Sequence, residues 1–248
     1  VFGREALSSY SDERLGESMI VVIGGMQRSG STFSFNIARD LLSTRGTVFQ
    51  APENSIINVV NRSGHSDYVI VKSHDLDDSS VRLVSLGAAK SICTIRKPED
   101  AIASWMETFS FTLDESIDHM KAWIDMFSRI KSHSLVIDYE LIDRRPLYAA
   151  LKIARYLGIG SPIDAYRISR RHSKASVKAF SDRLLEDRSG LIDIGFSKYD
   201  PSTFYHRCHV STLKSRPAVE RLPRHTIVAI RSRLGVHLDD GGRLKLGV

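Results

Sequence analysis

The chain is poor in cysteine, with only Cys93 and Cys208 among 248 residues. Two isolated thiols make neither a disulfide framework nor a metal-ligand spacing, so no metal site is expected, and a reducing, cytoplasmic compartment is the default. Cys93 sits inside an apolar stretch, where a thiol acts as inert packing. Long hydrophobic runs are lacking too. None approaches the roughly 20 residues of a membrane helix, and no apolar block near Val1 marks a signal peptide. There is no repeat, no low-complexity segment and no G-x-G-x-x-G turn, which disfavours a dinucleotide-binding loop. What remains, 42% hydrophobic and 26% charged residues, is ordinary globular composition at a length that suits one domain over residues 1–248.

Charge of one sign is scarce only at the end of the chain. Lys and Arg number 35 against 29 Asp and Glu. Residues 205–248 hold nine of the basic side chains and three of the acidic ones, so the whole excess of +6 lies there. A solvated basic helix explains any one of these charges, and a C-terminal flap near an anionic ligand explains their clustering. No recognition motif accompanies them, so no nucleic-acid partner is expected.

The most informative stretch runs from Met19 to Leu42. Met19–Ile23 is apolar and β-branched, as in a buried strand. A glycine-rich turn follows, Gly24 to Gly30, and then an amphipathic pattern (Phe35, Ile37, Ala38, Leu41, Leu42) that reads as a helix. Strand, glycine turn and helix N-terminus together make a phosphate cradle, because turn amides and unpaired first-turn amides converge on an anion. Gly25-x-x-x-x-Gly30-Ser31-Thr32 fits the triphosphatase P-loop with one departure: Ser31 stands where the phosphate-gripping Lys should be, and the cation comes earlier, at Arg28.

Further strands are expected near Thr47–Gln50 and at Tyr68–Ser73, Lys90–Ile95 and Ser134–Tyr139. Helices are expected over Pro52–Val60, Asp77–Leu86, from Pro98 to Phe109, and over Leu113–Lys131, Pro146–Leu157, Pro162–Ala179 and Pro217–Leu234, the last broken at Pro223. Residues 1–18 read as a polar lead-in, and Phe180–Pro201 has no clear period. Alternating strands and helices give an α/β fold: a central parallel sheet between two helical layers, P-loop NTPase-like. Residues 19–158 form the nucleotide-binding core, and 159–248 a helical and loop region with the basic C-terminal segment.

Ligands of such a sheet sit beyond the carboxyl ends of its strands. Lys72-Ser73-His74 closes one strand and Arg96 closes another. Lys72 and His74 point to the same side, and a cation beside an imidazole suits transfer of an anionic group, with the His taking the acceptor's proton. Ser104, eight residues after Arg96, meets the same ligand only if the turn at Lys97-Pro98 folds back.

Four motifs now stand in order, and together they resemble the sulfotransferases that use 3′-phosphoadenosine 5′-phosphosulfate (PAPS), in their bacterial-type form. They are Arg28-Ser-Gly-Ser-Thr-Phe33, Lys72-Ser-His74, Arg96-x-Pro98-x-Asp100-x-x-x-Ser104, and Tyr139-Glu140 ahead of a helix ending in Leu157-Gly158. The resemblance implies that Arg28, Ser29, Gly30, Ser31 and Thr32 wrap the 5′-phosphosulfate, that Phe33 stands where an adenine-stacking aromatic stands, and that Arg96 and Ser104 bind the 3′-phosphate. It implies His74 as general base, with Lys72 and Arg28 neutralising the leaving phosphate. The implied reaction moves a sulfuryl group to a hydroxyl or amine of a small-molecule or glycan acceptor, without a metal, and leaves 3′,5′-phosphoadenosine (PAP). Many eukaryotic members complete the 3′-phosphate site with an Arg-Lys-Gly segment. This chain has His206-Arg-Cys-His-Val-Ser211 and Lys214-Ser-Arg216 there.

Two rivals remain at this stage. A P-loop kinase of a small metabolite would need a magnesium-holding carboxylate, for which Asp138 at a strand end is the candidate. A non-catalytic module would bind the nucleotide without turning it over. Acceptor pockets are expected from Gln50–Gly64, Phe109–Ser116 and Phe180–Tyr205, segments that suit sugars, phenols or lipids alike.

Overall fold

The structure is a computed structural model that describes residues 18–159, 161–184, 190–193, 197–207, 209–210 and 216–245. The expected lead-in up to residue 17, together with Cys208, Ser211, Lys214 and Ser215, lies outside the described residues.

Five strands, β1 (Met19–Ile23), β2 (Val48–Pro52), β3 (Tyr68–Lys72), β4 (Lys90–Ile95) and β5 (Ser134–Asp138), form one parallel sheet in the order β2-β3-β1-β4-β5. Alternate residues of each strand face opposite layers. Val21, Ile23, Ile70, Ile92 and Ile137 pack with α1 (Ser31–Leu42), α7 (Pro146–Leu157) and α8 (Pro162–Arg171). Val22, Val69, Val71, Cys93 and Ile95 pack on the other face. There they meet α2 (Ile56–Arg62), α3 (Asp78–Ser85), α4 (Pro98–Phe109), α5 (Leu113–Ile130) and α10 (Arg224–Leu234). The fold is therefore the expected three-layer α/β/α arrangement. After β1 the chain leaves to the α1 face, and after the adjacent β4 it leaves to the α4 face. The loops part between these two strands and open a crevice at their carboxyl ends.

Local chemistry sets the boundaries. Thr112 and Glu115 form a reciprocal capping box at the start of α5. Gly158, at φ +76°, ends α7 in the left-handed conformation that a side chain resists. Trp123 in α5 stacks on Phe127 at 4.8 Å and donates its indole N–H to the Gly24 carbonyl at 2.9 Å, anchoring the turn after β1 to the helical layer.

Two boundaries differ from expectation. Pro52 ends β2 instead of starting a helix; β2 is an edge strand, where a missing N–H costs no ladder bond, and α2 starts after the Ser55 cap. The helix expected over Pro162–Ala179 is two, α8 and α9 (Lys174–Ser181), because Ser173 accepts the Ser176 amide and starts a new helix. As expected, Pro223 divides the last helix, here into a 3-10 turn at Ala218–Glu220 and α10. The segment without period holds a short antiparallel pair, β6 (Ile192–Asp193) and β7 (Lys198–Tyr199). Among the described residues no helix is long and apolar enough to cross a membrane. Cys93 is fully buried, and burial pushes its thiol up to about 11.

Candidate active site

The turn between β1 and α1 is built on two glycines that nothing larger replaces. A Cβ on Gly25 would lie 2.1 Å from the Thr94 hydroxyl and 2.7 Å from the Ser31 Cβ. Gly30 has φ +87°, and a Cβ there would meet the Ile142 side chain at 2.9 Å. Arg28 also takes a left-handed backbone, φ +59°, uncommon for a residue with a side chain and a mark of a turn held by its surroundings. Ser29 supplies part of that hold. Its hydroxyl is turned into the protein, 2.5 Å from the Met26 carbonyl and 2.6 Å from the Thr94 hydroxyl, so its side chain ties the turn to β4. No side chain caps α1, and its first turn carries no acidic residue, so the amides at Ser31 and Thr32 face the crevice as an anion cradle.

Arg28 joins the second phosphate-type pair to the turn. Its Nε donates to the Ser104 Oγ at 3.2 Å, and its carbonyl accepts from the Arg96 Nη1 at 3.2 Å. Arg96 and Ser104 thus converge, because α4 starts directly after Arg96 and runs back across the crevice. The Arg96 guanidinium lies 4.3 Å from the Tyr139 ring centroid, a cation–π seat at the end of β5.

From the other side, β3 delivers Lys72 and His74 with Nζ and Nε2 3.5 Å apart. His74 Nδ1 lies 2.5 Å from the Gly25 carbonyl, which can only accept. The imidazole is therefore protonated on Nδ1, and Nε2 keeps its lone pair. Arg28, Gly30, Lys72, His74, Arg96 and Ser104 all border one cavity of about 700 Å³, as do Ser31, Thr32 and Phe33. The three expected acceptor segments reach the same space through Asn54, Phe109 and Tyr199.

The electrostatics are those of a crowded cationic cavity. Burial, and then the charge of Arg96, lowers Arg28 to about 10. Burial lowers Lys72 to about 8. Burial, and then Lys72, lowers His74 to about 3, against a smaller upward pull from the Gly25 carbonyl. Bound negative charge would raise the basicity of each of these groups.

Of two further features of the site, Arg221 was not singled out from the sequence, and His206 was given only as part of the segment His206–Ser211. Arg221, after the 3-10 turn, borders the cavity with a side chain only 7% exposed. The basic excess of the C-terminus pointed to the region, but nothing in the spacing selected this arginine. His206 lies on the wall with its ring 5.3 Å from Phe109 and 4.5 Å from His209. Its Nδ1 donates to the Arg207 carbonyl at 2.8 Å, and burial and Arg28 lower it to about 4. Behind this wall Tyr205 and His172 are 3.0 Å apart, and His172 donates to Asp40 at 2.8 Å, which fastens the segment to α1.

No family model and no curated protein matches the chain. Solved structures do. Mouse sulfotransferase SULT7A1 complexed with PAP aligns over 91% of this chain and 87% of its own, with TM-score 0.62 and 14% identity. Retinol dehydratase in complex with androsterone and the inactive cofactor PAP aligns over 91% and 81%, with TM-score 0.56 and 16% identity. Retinol dehydratase with retinol and PAP aligns over 91% and 82%, with TM-score 0.53 and 16% identity. This chain shares the fold of these PAP-complexed proteins.

Proposed function

We propose that the protein is a PAPS-dependent sulfotransferase that transfers a sulfuryl group to a hydroxyl, or an amine, of an acceptor. The observation that carries this reading is the meeting of three separate sequence features in one cavity: the uncapped N-terminus of α1 with Arg28, the Arg96–Ser104 pair, and Lys72 beside a neutral His74. The likeness to PAP-complexed folds supports it. The residues suit a nucleotide with phosphates at both ends. One set of donors lies at the turn and another at Arg96 and Ser104, and the Arg28 guanidinium, lowered by burial, gains from a counter-anion.

PAPS, when bound, supplies the sulfuryl group and a phosphate leaving group. The α1 amides and Arg28 hold negative charge at the turn, and Lys72 stabilises the charge that grows on the leaving oxygen. His74 accepts the acceptor's proton on Nε2, while its Nδ1–H stays fixed on the Gly25 carbonyl. Phe33 offers an aromatic edge from α1 for the base. The bordering segments leave room for a small molecule or one end of a glycan.

The kinase reading has less support at its candidate metal ligand. Asp138 Oδ1 accepts the Glu140 amide at 2.7 Å as the cap of α6 (Tyr139–Arg144), and Asp138 does not border the main cavity. Thermal shift decides between the two. PAP at 100 times its Kd should add about 2.7 kcal/mol of stability, and ATP with Mg²⁺ should add little. The opposite pattern rejects the sulfotransferase. A screen of acceptors with labelled PAPS then separates turnover from binding alone.

A further inference from the structure

One face of α4 carries more than Ser104. Asp100, Ser104 and Glu107 follow at helical spacing and so lie along one side. Asp100 accepts the amide of Ala218 at 2.5 Å, Ser104 accepts from Arg28, and Ala103 packs beside them on Ala218. Glu107 pairs with Arg216 through one carboxylate oxygen and with Arg221, at 3.4 Å, through the other. The chain from Arg216 to Leu222 is therefore fastened to the same helix face that closes the phosphate turn.

The two partners in the Arg221–Glu107 pair are unequally placed. The Arg221 side chain is 7% exposed, whereas that of Glu107 is 44% exposed. The Arg221 Nε and Nη1 have no hydrogen-bond acceptor among the described residues. A buried guanidinium with unfilled donors and one long contact to a half-exposed carboxylate is under-satisfied. The carboxylate returns to water at little cost, and the guanidinium does not. Burial and the repulsion of Arg96 lower Arg221, while Glu107 opposes them, so Arg221 and Arg96 feel each other across the cavity edge.

We propose that Glu107 is the internal counterion of this anion site. It holds Arg221 while no anion is bound, and yields Arg221 to a phosphate monoester seated against Arg96. Only the identity of that monoester, the 3′-phosphate of the donor, rests on the sulfotransferase reading. Glu107 then weakens nucleotide binding and speeds the departure of PAP, since releasing the phosphate returns Arg221 to a waiting partner.

The test is calorimetric titration with PAP and with inorganic phosphate on the full chain and on Glu107→Gln, Arg221→Gln and the double variant. Glu107→Gln keeps the shape of the side chain and removes its charge, and it should tighten both ligands by about two- to fivefold, the range for loss of one exposed ion pair. Arg221→Gln should weaken both, and in that background Glu107→Gln should change little. An unchanged or weaker Kd in Glu107→Gln overturns the proposal, as does a gain that persists without Arg221. If the unmodified chain binds phosphate but not PAP, the donor assignment fails while the phosphate titrations still decide the role of Glu107. If it binds neither, the anion site itself is refuted.

Discussion

Truncating Arg96 to Ala removes two things that the structure allows to be told apart. The first is the hydrogen bond from its Nη1 to the Arg28 carbonyl, which helps hold the left-handed residue of the turn. Its loss loosens the cradle for any ligand that uses the turn, and a bond of this kind contributes about 0.5–1.5 kcal/mol. The second is the proposed charge-assisted contact to a 3′-phosphate, about 1.5–3 kcal/mol, felt only by a ligand that has that group. At about 1.4 kcal/mol per tenfold, 5′-AMP should lose roughly two- to twelvefold in affinity. PAP should lose a further factor of about ten to a hundred. One effect works the other way: without Arg96 the repulsion that lowers Arg28 is relieved, which strengthens the grip of Arg28 on either ligand and moves both losses towards the low end while leaving their ratio unchanged. Calorimetric titration of both ligands into wild type and Arg96→Ala measures it. Equal losses for the two nucleotides would refute the assignment of Arg96 to the 3′-phosphate and leave it a brace for the turn.

His74→Ala should retain PAP binding yet lose about 10²–10⁴-fold in single-turnover sulfuryl transfer; activity within about threefold of wild type, well short of that range, would remove His74 as the base, and Asp75→Asn run beside it tests the nearest competing carboxylate. Gly25→Ala should cost about 1–3 kcal/mol of folding stability and most of the PAP affinity, because its Cβ would press on the Thr94 hydroxyl that steadies Ser29; a Tm and Kd like wild type would show that the turn can shift without loss. Lys72 titrates at about 8 and a bound polyanion favours its charged form, so PAP affinity should fall as the pH rises through 8 and the fall should flatten in Lys72→Met. His74, held neutral at about 3 when folded against 6.5 when free, makes the unfolded chain the stronger proton binder between those values, so it contributes stability that is complete above pH 6.5 and is lost as the pH falls towards 3; acid melts of His74→Ala should lack that part.

The sheet and the phosphate turn were legible in the sequence because both depend on short-range physics. β-branched runs, glycine at forced positions and capping residues act within a few residues, and the strand ends carrying Lys72, His74 and Arg96 follow from them. What was not legible depends on distant contacts. That Ser29 turns inward is decided by Thr94, 65 residues away in sequence. That Arg96 and Ser104 meet depends on Arg28 bridging them, 76 residues before Ser104. Arg221 is one of nine basic residues after position 204, and only the docking of residues 216–222 on α4 distinguishes it from its neighbours. The helix break at Ser173 shows a third limit: a run of helix-compatible residues does not reveal that a capping side chain inside it starts a second helix.

The depressed proton affinity of His74 bears on how the proposed chemistry is ordered. An imidazole that titrates at about 3 is a feeble base, so in the ligand-free cavity His74 holds its lone pair but has little pull on a hydroxyl proton. The causes are burial and the neighbouring Lys72 ammonium, 3.5 Å away. Of these, the second is reversible. Negative charge brought to Lys72 and Arg28 offsets the repulsion and raises the basicity of Nε2, while the Nδ1–H bond to the Gly25 carbonyl keeps the tautomer in place. The base therefore gains strength only when the donor's anionic groups are present. With His74 essentially uncharged at neutral pH in either state, the kcat/KM profile, which reports the free enzyme, should have its acid limb well below 6.5. The kcat profile, which reports the donor-bound state, should have its limb at higher pH. In the proposed mechanism, proton acceptance is thereby favoured in the loaded state by Coulomb's law, with no movement of His74 required.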